Sequence, residues 1–152
     1  MAIKLTDEGG MYILNCLFNG ATLPATLYVQ LFGHATVPVT SLADTDVNDT
    51  HYEISGGGYS SKTITASQCA VSLAAGGIPE AAWDVLEWTF SGTVTANGAD
   101  GATIYGYQVI SQSDAAFPVM FEELFAAPFK PTTAGDILRL TPKLLLGNGT
   151  PA

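Results

Sequence analysis

Leu86, Trp88 and Phe90 alternate with Glu87, Thr89 and Ser91, and this period of two is the feature that most narrows the fold. A strand sends successive side chains to opposite faces, so the segment reads as a half-buried antiparallel strand with one wet face. Ala74 to Pro79 reads as a turn, Asn97-Gly98-Ala99-Asp100-Gly101 as another, and Gly56-Gly57-Gly58-Tyr59 as a bend. Other runs suit a pleated chain: Ala25 to Phe32, Thr103 to Ser111, Pro118 to Phe125, and Ile137 to Leu146 split by Pro142. Thr103 to Ser111 is apolar in both phases, as a central strand is, and Gly106 within it marks a bulge or a close backbone approach. Ser60 to Leu73 alternates more weakly, with Ile64 and Val71 as its expected anchors. Residues 33–51 are polar, contain Pro38 and an acidic cluster, and read as a long loop.

One segment departs from the strand pattern. Thr6 is placed to cap a helix over residues 7–18, and Asp7 and Glu8 favour its positive end. Leu14, Leu17 and Phe18 have helical spacing, and Asn19-Gly20 is a stop signal. Gly9 and Gly10 weaken the helix. The expectation is a mainly β chain: an antiparallel β-sandwich, jelly-roll-like, with one short N-terminal helix. With no internal repeat or linker, residues 1–152 read as a single domain.

Charge excludes several partners. Asp and Glu number 14 against 5 Lys and Arg, a net charge of -9, which argues against nucleic acid and anionic lipid. Charged residues make up only 12% and apolar residues 47%, a surface composition that points to assembly with other subunits. No apolar run is long enough to span a membrane, and no secretory signal precedes Asp7 and Glu8. Without that route the Asn48 and Asn148 sequons read as chance matches. Cys16 and Cys69 read as reduced, buried small hydrophobes, with a disulfide between them left open.

Candidates for chemistry are sparse. His34 and His51 read as loop histidines with no ligand spacing for zinc. Asp44, Asp46 and Asp49 resemble a calcium loop but lack Gly at the sixth position and Glu at the twelfth, so a solvated loop is the better reading. Glu87, Glu122 and Glu123 could supply a glycosidase pair only if their separation allowed it. Trp83, Trp88, Tyr105 and Tyr107 could form a sugar-stacking platform, although the strand phase makes Trp88 a core residue. Neither a nucleophile elbow nor a phosphate cradle is present. The residues therefore predict no catalytic, cofactor or metal site and no enzyme.

The order of motifs carries a resemblance. A helix ends in Leu17-Phe18 and a strand ends in Leu31-Phe32. A Thr/Asp-rich loop leads to Gly58-Tyr59, Trp88-Thr89-Phe90 leads to Ile104 to Tyr107, and Gly135 to Lys143 closes the series. The chain resembles the capsid cement, or decoration, proteins of short-tailed cyanophages. That resemblance implies a virion structural protein, made in the host cytoplasm and seated on the outer capsid surface. It implies a trimer that clamps the major capsid protein lattice. The alternatives are a tail or baseplate component and a glycan-binding adhesion module. Ile3, Lys4 and Leu5, with Phe125, Pro128 and Phe129, are the expected interface residues, because they place apolar groups beside what reads as irregular chain.

Overall fold

The computed structural model describes residues 2–22, 24–34, 51–96, 101–111 and 119–146. The chain opens with strand β1 (Ala2–Leu5), helix α1 (Asp7–Phe18) and strand β2 (Thr26–His34). Then come β3 (His51–Glu53), β4 (Ser55–Gly56), β5 (Lys62–Thr65), a 3₁₀ turn (Ala66–Gln68) and β6 (Ala70–Leu73). The remainder is β7 (Pro79–Ala82), β8 (Leu86–Thr89), β9 (Val94–Thr95), β10 (Ile104–Ile110), β11 (Val119–Phe129), β12 (Ile137–Leu140) and β13 (Lys143–Leu145). The protein is mainly β, and every strand pairing among the described residues is antiparallel.

The largest sheet runs β1-β11-β10-β2, with β3 and β5 sharing the outer edge of β2. Three ribbons complete the strands: β12-β8, β13-β7-β6 and β4-β9. β10 is central and buried along its whole length, which explains its two-phase apolarity. Trp88, Phe90 and Val94 from the ribbon side pack with Val29, Leu31, Ile64, Tyr107 and Val109 of the sheet in one core. The phase read from Leu86 to Ser91 holds, since Trp88 and Phe90 are buried while Glu87, Thr89 and Ser91 are exposed.

Gly106 meets both sequence expectations. A Cβ there would lie 2.1 Å from the Glu123 carbonyl oxygen and 2.8 Å from the Phe32 ring. The β10–β11 register also shifts beside it: Ile104 pairs Phe129 and Gly106 pairs Leu124. The extra residues of β11 bulge out, and Pro128 lies in this bulge, where no ladder donor is required. The irregular chain expected around Pro128 is thus corrected to a bulge inside a strand that continues to Phe129.

A row of polar side chains crosses the large sheet. Gln108 stands in register between Gln30 and Glu122, and Glu122 stands opposite Lys4. Gln108 donates to Gln30 at 2.9 Å, and Gln30 donates to Glu53 at 2.8 Å. Gln30, Gln108 and Glu122 are all buried, so a slip of one residue would put this row among apolar neighbours.

Other expectations need correction. Val71 is 79% exposed, because β6 is the edge strand of its ribbon. Cys16 and Cys69 are unpaired and half-buried rather than buried. His34 and His51 are not in loop but at adjoining strand ends, in register with each other. The segment at Ile3 to Leu5 is a regular strand paired with β11. Asp44, Asp46, Asp49 and both sequons lie outside the described residues, as does most of the turn expected at Asn97–Gly101.

Candidate interaction surface

The helix spans the residues expected of it, and its cap shows why. Thr6 Oγ1 accepts the Gly9 amide at 2.9 Å and donates to the Val119 carbonyl, tying the first turn to β11. Gly9 sits so close to β11 that a Cβ would lie 2.0 Å from the Met120 carbonyl oxygen. Tyr12 and Ile13 pack on the core. The helical spacing of Leu14, Leu17 and Phe18 proves right about the helix, yet these residues face outward. Met11, Leu14, Leu17 and Phe18 are 63%, 52%, 68% and 78% exposed. They form one stripe, and no charged residue occurs between Gly9 and Phe18. A helix face turned to water is normally polar, and this one is apolar along its length.

An apolar cleft of about 390 Å³ opens beside the helix, and Ile13, Leu5, Leu27, Trp83 and Phe121 line it. Trp83 stacks on Phe121 at 5.9 Å between centroids and donates its indole N–H to the Thr65 carbonyl at 3.0 Å. Both contacts hold the ring rigid. Val71 and Cys69 line the β6 side of the cleft. Burial pushes the Cys69 thiol up, against the opposing effect of a backbone hydrogen bond with Ala82, which keeps it a protonated and poor nucleophile. Leu73 continues the exposed edge of β6 at 70%.

A second cleft, of about 730 Å³, is more polar. Tyr107 and Glu123 lie in its lining, where the Tyr107 hydroxyl donates to Glu123 at 2.7 Å and accepts the Lys143 amide at 3.3 Å. Burial first, then the Glu123 charge, pushes the Tyr107 phenol far up, so it stays a proton donor. Lys143 reaches Glu80 at 3.5 Å. Glu122 and Glu123 are consecutive on β11, so their side chains leave opposite faces of the sheet. Glu87 pairs with Arg139 at 2.6 Å on the surface. The three glutamates therefore do not converge on one substrate.

The aromatic candidates separate in the same way. Trp88, Tyr105 and Tyr107 are buried, and of the four only Trp83 and Tyr107 reach a cleft, each a different one. Among the described residues no group of three or more His, Cys, Asp or Glu could hold a metal, and no helix is long and apolar enough to cross a membrane. Of the expected interface residues, Leu5 lines the apolar cleft and Phe125 lines the polar one. Phe125 and Phe129 pack against the core, and Phe129 lies 5.8 Å from Phe90 between ring centroids. Pro128 is exposed, and Ile3 and Lys4 belong to β1. The exposed helix stripe escaped the sequence reading. Its signal was there: a helix apolar almost all round cannot bury every face on one sheet edge. No family model, curated protein or solved structure matches this chain.

Proposed function

We propose that this chain is a non-enzymatic virion structural protein, a capsid cement protein that binds the outer surface of the major capsid protein lattice. One observation carries the reading. Ten large apolar side chains on several elements are exposed among the described residues. On a chain this poor in charge, such surface supports burial against other subunits. A net charge of -9 suits a position outside the shell, away from the genome. The ribbons packed over one face of the large sheet support a jelly-roll-like sandwich as the scaffold.

The mechanism is mass action. A protein that binds only the assembled lattice stabilises that lattice by its differential affinity. Three copies acting together would bind by avidity, with weak contacts reinforced by high effective concentration. Co-sedimentation with capsids that lack the protein tests the reading. Saturable pelleting at three copies per lattice threefold supports it. Absence of pelleting with both expanded and unexpanded capsids overturns it.

A further inference from the structure

We infer that the exposed face of α1 packs into the apolar cleft of a second copy of this chain. The inference rests on the proposed reading in that three copies act together there, and it adds the surface through which copies meet, which can be tested with no capsid present.

Area is the first argument. Met11, Leu14, Leu17 and Phe18, with Val71 and Leu73 of β6, are each more than half exposed. At ~100 Å² per large apolar side chain they offer roughly 600 Å². That is the upper end of what a monomer leaves bare. Doubled across two copies it reaches roughly 1,200 Å², the lower bound of a stable interface.

Shape is the second argument. Leu17 and Phe18 project from the helix, and the neighbouring cleft of about 390 Å³ has room for such side chains. Ile13 lines that cleft from the same helix, so knob and hole adjoin on one face. A surface carrying both is complementary to itself, in a reciprocal pair or a closed ring.

Charge is the third argument, and it selects the occupant. A basic partner would be recognised by carboxylates, yet the helix carries none from Gly9 to Phe18. Two copies of a chain with net charge -9 repel overall, and an uncharged surface meets least of that repulsion. This stripe is such a surface. The Trp83–Phe121 stack lets the cleft receive a side chain without first paying to order its own wall.

Light scattering on the full chain tests the inference at about 100 μM protein. The variants are Leu17→Glu on the helix and Val71→Glu at the cleft. Both positions are exposed, at 68% and 79%, so both variants fold and circular dichroism confirms it. The wild type is expected at an integer multiple of the 15.8 kDa chain, and each variant is expected to dissociate at least about tenfold more readily. A monomeric wild type, or variants that keep the wild-type mass, overturns the inference. So does a monomeric wild type whose capsid pelleting is lost in Leu17→Glu, because the face then belongs to the capsid. A wild type that self-associates yet never pellets supports this inference while the capsid reading fails.

Discussion

Gly9 and Gly10 are neighbours in one helix and carry opposite constraints. A Cβ on Gly9 would collide with the β11 backbone, whereas one on Gly10 would rest 3.8 Å from a Leu5 methyl. Helix propensity alone predicts that alanine stabilises at both positions. The packing predicts a split in sign. Gly10→Ala should gain about 0.5–1 kcal/mol, and Gly9→Ala should lose about 2–4 kcal/mol as the helix is pushed off β11. Urea unfolding of the two variants checks it. Glu53 supplies a second residue-scale prediction. Burial raises its carboxyl above the ordinary 4.5, and the hydrogen bond from Tyr59 only partly offsets this. The folded state therefore holds that proton more tightly than the unfolded chain. Its contribution to stability is full below about pH 4.5 and is lost as pH rises through the folded value. Glu53→Gln should flatten this part of a pH–stability profile measured by thermal melting. Asp136 has the opposite sign. Amides of Thr133 and Thr132 and the Thr133 hydroxyl hold its carboxyl below its ordinary value, so its contribution is lost as pH falls.

At the scale of elements, β1 shows what a linear reading misses. Ile3 to Leu5 looked like loose chain available to a partner. Its backbone instead lines up with Glu123 to Phe121 of β11, more than a hundred residues later. Deleting residues 2–5 should therefore cost on the order of 2–4 kcal/mol through lost ladder hydrogen bonds. It should also uncover the edge of β11. The check is a lower thermal midpoint in the isolated protein, with no capsid present. β8 and β10 were legible because their patterns report a local fact, burial on one face or on both. The helix was legible in its boundaries for the same reason, since the Thr6 cap and the Asn19-Gly20 stop are local chemistry. The buried face of the helix was not legible. Apolar residues surround it, and only the position of β11 selects Gly9, Tyr12 and Ile13 as its inner side.

For the whole molecule, net charge and apolar surface act in opposite directions. Repulsion between acidic copies is screened by salt, while apolar contact is not. Raising salt from ~0.05 to ~0.5 M should therefore shift the protein toward its associated form. Sedimentation velocity at the two salt concentrations reads that shift, and an interface held by ion pairs would move the other way. The polar row through Gln30, Gln108 and Glu122 is also a property of the whole. Each residue looks like a surface side chain in sequence. Together they form a buried line across strands from both halves of the chain.

Composition, turn chemistry and periodicity by themselves determined the mainly β architecture, the N-terminal helix, the central strand β10 and the close approach at Gly106. Each is written into a few neighbouring residues through side-chain volume, backbone freedom and the period of the chain. Tertiary structure alone decided which helix face is bare, where the apolar cleft opens and which glutamates stand apart. The reason is physical: exposure depends on what distant segments cover. That depends on strand pairings such as β1 with β11, which no local pattern encodes.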